Sequence, residues 1–447
     1  MPSTISRRSF LKNSAAFAAV STVEAAGVVS ARALAKDSVP SNRVNLALIG
    51  ARNMGWQDLE NMLKAGGTRC VAICDVDEAV LESRKAELAR KYHPLPPDFL
   101  ATGDYRRILD RKDVDAVLIG TPDHWHCLQF SDACKAGKDV YVQKPLANSF
   151  DECGVMVEMA RRHDRVVQVG QQQRGDPCWQ GLVSFIQDGG LGRVTRVDAW
   201  ANFDYAAQLP APPDSAPPPR VDYDTWLGPA PARPFNKLHF HGSWRCFWNY
   251  GGGLMSDWGV HLLDIALWAT NTRTLPLRAS AIGGKFAAPN GAHETFDTLS
   301  AAWEYEKFLL TWSNSTLLQR GPFGKSYGLA FWGEKGLVVA NRSGWDFYKG
   351  TAENPERSER GDGMENKTAL IRHAANFLDC VRRHDIQTNC PVETGALCSR
   401  LAHLGNISAR LGGTPILCQE NALKNPSPEV LALARPAYRA PWKFPTI

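Results

Sequence analysis

The stretch of sequence that decides the fold is Val44-Asn45-Leu46-Ala47-Leu48-Ile49-Gly50-Ala51-Arg52-Asn53-Met54-Gly55. Its first six residues form a short, mostly apolar run that predicts a buried β-strand, and a helix is predicted over residues 55–65. Gly50 and Gly55 stand at the junction, where glycine permits a tight turn and close packing of the helix on the strand. This order predicts the first unit of an α/β domain with a parallel sheet.

The segments that follow repeat the alternation of strand and helix. Apolar runs predict strands over residues 70–74, 114–119, 140–142 and 166–169. Helical patterns over residues 77–92 and 125–136 lie between them. Because continuous apolar strands joined by helices form a buried parallel sheet with right-handed crossovers, we predict a Rossmann domain over residues 36–170.

From about residue 194 the pattern changes to strands in meander order. Predicted strands cover residues 194–203, 277–282, 295–305, 308–313, 327–332 and 337–340. Helices are predicted over residues 257–270, 367–384 and 394–411, and the loop 209–220 contains six prolines. Because short turns join several of the strands, we predict an α+β domain over residues 171–447 with a large, mostly antiparallel open sheet.

The first 35 residues predict a targeting segment. Arg7 and Arg8 form a twin-arginine pattern, an Ala-rich stretch follows over residues 15–29, and Ala33-Leu34-Ala35 is a small-x-small cleavage site. Polar residues interrupt the apolar stretch, so it is a poor membrane span. We therefore expect export by twin-arginine translocation, to the periplasm or otherwise outside the cytoplasm, and no membrane span in the mature protein.

Charge and composition exclude other classes of partner. Of the formal net charge of +5, the targeting segment contributes +3, since it holds four basic residues and one acidic residue. The remaining charge of about +2 is too small for the basic footprint of a nucleic-acid binder. The eleven cysteines show no spacing typical of a zinc site, so no metal is expected.

The glycine turn also predicts a nucleotide site. Gly50 and Gly55 are the first and third glycines of the dinucleotide fingerprint, which leaves helix N-terminal amides free for a pyrophosphate. Asp75 ends the second predicted strand, 25 residues after Gly50, where a carboxylate accepts hydrogen bonds from ribose hydroxyls. A carboxylate repels a 2′-phosphate, so we predict NAD rather than NADP, although Arg52 keeps NADP open. The alternative is a doubly wound fold that binds another nucleotide, or none.

Two further stretches carry candidate catalytic residues. Lys144 follows the strand 140–142, and ligands gather beyond the carboxyl ends of strands in open α/β sheets. In the glycine-rich stretch 251–264, Asp257 and His261 lie four residues apart at the start of a helix and share a face. Oxidation of an alcohol needs a base at the hydroxyl and a cation that stabilises the developing alkoxide. Alone, Lys144 is more typical of a surface lysine and His261 of a packed histidine; together they predict this chemistry.

Several motifs in this order resemble the glucose–fructose oxidoreductase/inositol dehydrogenase (Gfo/Idh/MocA) family over nearly all of the mature chain. The motifs are the turn 50–55, Thr121-Pro122-Asp123-His124-Trp125-His126, Gln143-Lys144-Pro145, residues 168–174, Trp226-Leu227-Gly228-Pro229-Ala230, residues 251–264 and His403-Leu404-Gly405-Asn406. The resemblance implies that Lys144, Asp257 and His261 are catalytic. With the fingerprint, it implies cofactor binding by Gly50, Arg52, Asn53, Met54, Gly55, Asp75, Thr121, Pro122, His126, Gln143 and Lys144. Gln143 departs from the family's usual Glu and removes a negative charge beside Lys144.

Aromatic residues near these motifs favour a carbohydrate substrate. Trp226, Trp244, Trp248 and Trp258 lie within 35 residues of one another, and sugar rings stack their C–H faces on aromatic rings. The alternative is that most of these tryptophans belong to the core. We expect the substrate to contact Gln173, Arg174, Arg245, Trp248, Tyr250 and Asp264.

We therefore predict an oxidoreductase that transfers a hydride to or from a hydroxyl-bearing carbon of a sugar, glycoside or polyol. One alternative is an NAD-dependent glycosidase of the same fold, in which transient oxidation of one carbon allows elimination at another. Those glycosidases carry a different residue pattern at the position of Lys144-Pro145, so the presence of Lys144-Pro145 argues against a glycosidase. The other alternative is a non-enzymatic sugar- or NAD-binding protein, which has no need of a proton-transfer set.

Assembly and cofactor handling follow from the sheet and the export signal. Leu299, Ala301 and Trp303 alternate with more polar residues, so one sheet face is predicted to be covered by helices and the other to be free. A free face predicts a homodimer or homotetramer. Because an exported enzyme meets no pool of soluble NAD, we expect the cofactor to stay bound and to be recycled within the reaction cycle.

Overall fold

The structure is a computed structural model that describes residues 43–92, 94–203, 210–317, 319–350, 356–362 and 366–447. The predicted targeting segment, residues 1–35, lies outside the described residues. The described chain forms two large sheets with helices packed against them.

The first sheet is parallel and has six strands. They are β1 (Val44–Ile49), β2 (Thr68–Cys74), β3 (Leu100–Thr102), β4 (Ala116–Ile119), β5 (Asp139–Val142) and β6 (Val167–Val169). The helices that connect them are α1 (Asn53–Ala65), α2 (Glu78–Lys91), α3 (Arg106–Leu109), α4 (Asp123–Lys135) and α5 (Phe150–Arg162). The strand order is β3-β2-β1-β4-β5-β6, which is that of a doubly wound dinucleotide-binding fold. The predicted Rossmann fold is confirmed.

This strand order places the carboxyl ends of β1 and β4 side by side. Gly50, at φ +89°, ends β1 so close to Gly120 that a Cβ atom on Gly50 would lie 2.7 Å from the Gly120 carbonyl carbon. A Cβ atom on Gly55 in α1 would lie 2.3 Å from the Gly50 carbonyl oxygen. Only glycine allows this packing, and it sets the start of α1 at the point where ligands bind in such sheets.

The second sheet is mostly antiparallel, as predicted, and it has ten strands, whereas the sequence analysis predicted six. Its strands are β7 (Val194–Ala201), β8 (Arg278–Gly284), β9 (Thr298–Glu304), β10 (Leu309–Ser315), β11 (Tyr327–Gly333), β12 (Gly336–Asn341), β13 (Gly344–Lys349), β14 (Glu356–Asp362), β15 (Ile416–Gln419) and β16 (Ala422–Leu423). Their order is β14-β13-β12-β11-β7-β10-β9-β8-β15-β16. Among these pairs only β7 and β10 run parallel.

One face of the second sheet is covered by helices. The helices of this half are α6 (Pro177–Gln187), α7 (Tyr223–Leu227), α8 (Val260–Ala269), α9 (Asn366–Arg383), α10 (Val392–Arg410) and α11 (Pro428–Ala434). Leu299, Ala301 and Trp303 of β9 are buried in one core with side chains of α8 and α10, whereas Ser300 and Glu304 are exposed. The other face carries exposed apolar side chains such as Ile282 and Trp332.

Helix α9 lies in the second half of the sequence but packs against the first sheet, so the chain does not divide cleanly into two domains at residue 170. The helix comes after the strands of the second sheet, but it packs against α1. Phe377 and Leu378 of α9 share a core with Leu46 and Leu48 of β1. Apolar periodicity indicates which face of a helix is buried, but not which sheet it covers.

The predicted helix over residues 257–270 also begins differently. Met255–Gly259 forms a π-helical turn, and regular α-helix begins only with α8 at Val260. Such turns occur frequently at functional sites. Within the part of the chain that the structure describes, no helix is both long and apolar enough to cross a membrane.

Candidate active site

A cavity lies between the two domains, at the carboxyl ends of the parallel strands. Most of the residues that the sequence analysis assigned to the cofactor line it: Gly50, Arg52, Asn53, Met54, Asp75, Thr121, Pro122, Gln143 and Lys144. The second domain contributes Thr225, Trp226, His241, Trp244 and Arg245. The tertiary structure therefore brings these residues to one site, although they come from distant parts of the chain.

The start of α1 fits the pyrophosphate of a dinucleotide. Arg52 is the N-cap of this helix, and its side chain makes no capping hydrogen bond. The first turn contains no acidic residue. Its backbone N–H groups are therefore not capped by a side chain, and the helix end favours an anion.

Asp75 lies at the end of β2 and holds the turn before α1. Its Oδ2 atom accepts a hydrogen bond from the backbone N–H of Ala51 at 2.9 Å, and Oδ1 accepts one from Asp77 at 3.1 Å. Burial raises the pKa of this carboxyl to about 6, against the effect of the two hydrogen bonds. Asp75 lines the cavity, so its position fits the predicted contact with a ribose. Arg52, the residue whose charge would favour the 2′-phosphate of NADP, lies 4.0 Å from Asp77.

Two predicted cofactor residues do not line this cavity. Gly55 packs beneath the turn, against Gly50. His126 is fully buried, with Nδ1 2.9 Å from the carbonyl oxygen of Pro145 and Nε2 2.9 Å from that of Thr121. Burial lowers the pKa of His126 to about 4. His126 therefore lies between the two loops that carry Lys144 and Thr121, and as a neutral ring it donates to only one of the two carbonyl oxygens.

Lys144 and Asp257 are in direct contact. The Lys144 ammonium donates hydrogen bonds to Asp257 Oδ1 and, at 3.0 Å, to the Asp257 backbone oxygen. Arg245 Nε lies 3.3 Å from the same Oδ1. The side chains of Lys144 and Asp257 are only 10% and 11% exposed. One carboxylate thus holds two cations of the cavity wall in place, and water screens them weakly.

His261 lies one helical turn after Asp257 and is 4% exposed. Burial, with the nearby positive charges of Lys144 and Arg342, holds its pKa well below the usual value, so the imidazole is neutral. Its Nδ1 atom has no hydrogen-bond partner among the described residues. The ring packs edge-on against Trp258, with 5.9 Å between the ring centroids.

Sequence reasoning missed Arg342, whose charge reaches both Asp257 and His261. It lies in the hairpin turn between β12 and β13, and its guanidinium covers the Trp258 ring at 4.8 Å. In sequence, an arginine in a short turn is typical of a solvated surface, so no signal distinguished it. Asp123 was also missed: it opens α4, lines the cavity, and burial raises the pKa of its carboxyl well above the usual value.

The predicted substrate residues lie in different places. Arg245 lines the cavity, whereas Gln173 is buried and does not line it. The Gln173 side chain donates to the His261 backbone oxygen at 3.4 Å and accepts from Arg342 at 3.2 Å. Tyr250 is fully buried against Trp226, with 4.9 Å between ring centroids.

Of the six predicted substrate residues, only Arg245 lines this cavity, and the remaining three are Trp248, Arg174 and Asp264. Trp248 packs against Phe296 and under the Arg410 guanidinium. Arg174 and Asp264 form a bidentate ion pair, with donor–acceptor distances from 2.8 to 3.0 Å, at a separate cavity beside Trp268. Asp264 follows His261 by three residues on α8. Its side chain nevertheless accepts hydrogen bonds from Arg174 and does not line the cavity. In the described parts of the chain, no group of three or more His, Cys, Asp or Glu side chains could hold a metal ion.

Two segments of the chain match known protein families. Residues 44–171 match a family model described as an oxidoreductase family with an NAD-binding Rossmann fold. Residues 191–281 match that of an oxidoreductase family C-terminal alpha/beta domain. Both models belong to the Gfo/Idh/MocA family.

Solved structures share the fold at low identity. A levoglucosan dehydrogenase, in complex with NADH and levoglucosan, is 17% identical with a TM-score of 0.63, over 84% of this chain and 99% of that one. An aldose–aldose oxidoreductase from Caulobacter crescentus, complexed with glycerol, is 17% identical with a TM-score of 0.63, over 84% of this chain and all of that one (100%). At this identity the likeness shows the fold alone.

Curated relatives match over a shorter stretch. A glycosyl hydrolase family 109 protein of Shewanella sp. (strain W3-18-1) is 34% identical over 122 residues, which are 27% of this chain and 26% of the relative. An α-N-acetylgalactosaminidase of Shewanella oneidensis is 31% identical over 120 residues, with the same shares of 27% and 26%. The chain therefore spans about a quarter of the length of these curated relatives.

Proposed function

Because the chain belongs to the Gfo/Idh/MocA family of NAD-binding oxidoreductases, we propose that it transfers a hydride to or from a hydroxyl-bearing carbon of a sugar, glycoside or polyol. The observation that carries this proposal is the contact between Lys144 and Asp257 at the cavity that also contains the dinucleotide turn. Bound NAD supplies the hydride acceptor or donor. The part of the protein itself is to bind the substrate hydroxyl and to move its proton.

We assign Lys144 to the substrate oxygen. Lys144 lines the cavity and its ammonium is hydrogen-bonded to Asp257, which also pairs with Arg245. The two cations therefore stabilise the negative charge that develops on an alkoxide. His261 is neutral and lies within electrostatic reach of Lys144, which fits a proton acceptor behind that lysine. Asp257 orients the lysine through both its side chain and its backbone oxygen.

A carbohydrate is the substrate class that the cavity supports best. Trp226 and Trp244 line it, and Arg245 stacks on Trp244 at 4.2 Å. Indole faces bind the C–H faces of sugar rings, while charged and amide groups bind the hydroxyls. The names of two fold neighbours, a levoglucosan dehydrogenase and an aldose–aldose oxidoreductase, support the same class.

We further propose that the cofactor stays bound through many cycles. The support is a strap, residues 220–245, that the second domain lays across the first just beyond Asp75. Arg220 donates to Glu78 and Glu82, and its backbone oxygen accepts from the Glu78 N–H at 3.1 Å. His241 lies 2.9 Å from Asp77 and lines the cavity. A ligand in this cavity is covered by the strap, which slows its release.

A closed cycle also fits the proposed export. A protein secreted in the folded state can carry its cofactor with it, and outside the cytoplasm it must return that cofactor to its starting redox state. A second sugar or a separate electron acceptor would do this. Residues 1–35, on which the export proposal rests, lie outside the described residues.

An NAD-dependent glycosidase is the second candidate, because the curated relatives are named glycosyl hydrolases and α-N-acetylgalactosaminidase. One experiment separates the two. The purified protein is mixed with NAD and a panel of aldoses, polyols and glycosides, and formation of reduced nicotinamide is followed by absorbance in a single turnover. Reduction by a member of the panel supports the oxidoreductase. Release of nitrophenol from an aryl glycoside without net reduction supports the glycosidase, and neither reaction points to a binding protein.

A further inference from the structure

A buried carboxylate outside the proposed catalytic set lies behind the cavity. Asp58, in the second turn of α1, is 4% exposed. Its Oδ2 atom accepts a hydrogen bond of 2.5 Å from Nε2 of Gln143. Gln143 lines the cavity and directly precedes Lys144. Asp58 therefore reaches the cavity through the amide of Gln143.

The Gln143 amide is confined on its other side as well. Gly170 follows β6, and a Cβ atom there would lie 2.7 Å from Gln143 Nε2 and 3.3 Å from Oε1. The Gln143 backbone N–H donates to the Ile119 oxygen at 2.9 Å, which fixes where the side chain starts. An amide held between a carboxylate and a backbone has few orientations, so its partner decides which atom faces the cavity.

The chemistry of the pair decides that orientation. An ionised carboxylate can only accept hydrogen bonds, whereas an amide has one accepting and one donating end. Gln143 must turn its NH₂ group toward Asp58, and its Oε1 atom is left for the cavity. Burial raises the pKa of Asp58 to about 7, against the hydrogen bond from Gln143 and the charge of Lys144, so the carboxylate predominates above neutral pH.

We propose that Asp58 is a positioning residue for the cofactor: it turns the Gln143 amide so that Oε1 accepts a hydrogen bond from the carboxamide N–H at the nicotinamide end. The proposal rests on NAD binding and on the assignment of this end of the cavity to the nicotinamide. It does not depend on which substrate is oxidised.

A dinucleotide that lacks the N–H group tests the proposal. The holoenzyme, at pH 8.5 or above, is exchanged against an equimolar mixture of NAD and its 3-acetylpyridine analogue, in which a methyl ketone replaces the carboxamide. The protein is then denatured, and liquid chromatography of the released dinucleotides gives the ratio of the two bound forms. The wild type should prefer NAD by roughly tenfold, the value of one good hydrogen bond. Asp58→Asn should lose most of this preference, because an asparagine can also donate and no longer fixes the amide.

A reciprocal variant separates positioning from packing. In Asp58→Asn/Gln143→Glu the carboxylate moves to position 143, where the introduced asparagine amide can donate to one of its oxygens and the other faces the cavity as an acceptor. This double variant should recover the preference for NAD. Glu60→Gln, on the same helix but paired with Lys91 at the surface, is the matched control and should keep it. The proposal would be overturned if Asp58→Asn preferred NAD over the analogue as strongly as the wild type does. It would also be overturned if the double variant folded but did not recover that preference. Because the readout needs no substrate, failure of the oxidoreductase function would leave these outcomes interpretable.

Discussion

The ammonium of Lys144 and the carboxylate of Asp257 are in hydrogen-bonding contact across 113 residues of sequence. Lys144 follows the fifth strand of the Rossmann sheet, and Asp257 lies in the π-helical turn of the second domain. Neither domain contains the pair by itself. The site forms only where the domains meet, so a substrate bound there lies between the cofactor turn and the second sheet.

The first prediction concerns the catalytic pair. Lys144→Met should lower turnover by about 10²-fold or more while leaving the fold and NAD binding nearly intact, because it removes the cation at the substrate oxygen. His261→Ala should behave similarly. Steady-state kinetics with the sugar that reduces NAD, together with NAD titration, measures both effects. Lys135→Met, at the exposed end of α4, is the control. Wild-type turnover in both active-site variants would mean that the site is elsewhere.

Cofactor choice depends on Asp75. Asp75→Ser should narrow the preference for NAD over NADP, since it removes a negative charge that repels a 2′-phosphate. It should also weaken the binding of both dinucleotides. The Asp75 carboxylate accepts hydrogen bonds from the backbone N–H groups of Ala51 and Asp77, and these bonds hold the turn in place. Calorimetric titration of the two dinucleotides gives the ratio. Tighter binding of NADP than of NAD by the wild type would shift the specificity role to Arg52.

Retention of the cofactor depends on the strap. The wild type should purify with bound NAD and keep it through dialysis, which requires sub-micromolar affinity, or about 8 kcal/mol and more. Arg220→Ala removes contacts to Glu78 and Glu82 and should speed cofactor loss by roughly twofold to fivefold, as expected for exposed ion pairs. Mass spectra recorded during dialysis follow the loss. Arg193→Ala, which breaks an ion pair with Glu334, should not change it. An apo preparation that binds NAD at only tens of micromolar would contradict the retained-cofactor proposal.

The stability of the protein should depend on pH through Glu152. This residue is 1% exposed, burial raises its pKa to about 7, and Tyr438 donates to its Oε1 atom at 2.6 Å. The folded protein therefore binds this proton more tightly than the unfolded chain does, so its contribution to stability falls as the pH rises from 4.5 to 7.

Glu152→Gln lacks this titration and keeps the shape of the side chain. Its advantage over the wild type should be absent near pH 4 and grow to at most about 3 to 4 kcal/mol above pH 7, at about 1.4 kcal/mol per pKa unit. Denaturant unfolding at several pH values measures it, with the exposed Glu158→Gln as control. A difference that does not change with pH would show that Glu152 is not the titrating group.

The uncovered face of the second sheet should form the subunit interface. Ile282 on β8 is 70% exposed, and Phe323 and Trp332 add apolar surface to the same face. We expect a dimer or tetramer by light scattering at micromolar concentration, and Ile282→Arg should shift it toward the monomer, because a charge cannot be buried there unpaired. Leu431→Arg, on α11, changes an exposed residue away from that face and is the control. A monomeric wild type would contradict this interface.

The sequence alone determined the features that depend on local order. The run from Val44 to Gly55 specifies a strand, a glycine turn and a helix, because glycine at positions 50 and 55 is required wherever the chain packs that closely. Asp75 and Lys144 could be assigned because a strand end in a parallel sheet always lies at the ligand edge. The alternation in β9 likewise gave the buried and open faces of the second sheet.

Only the tertiary structure decided the features that depend on which distant segments meet. Arg342 lies over Trp258 because the hairpin β12–β13 carries it there, and Asp58 contacts Gln143 because α1 packs beside that residue. Arg174 and Asp264, which lie within three residues of Gln173 and His261 in sequence, line a separate cavity, where they form a buried ion pair with each other. Periodicity and spacing fix a residue's face on its own helix or strand. The partner across that face is set by packing and by the need to pair every buried charge, which no local pattern encodes.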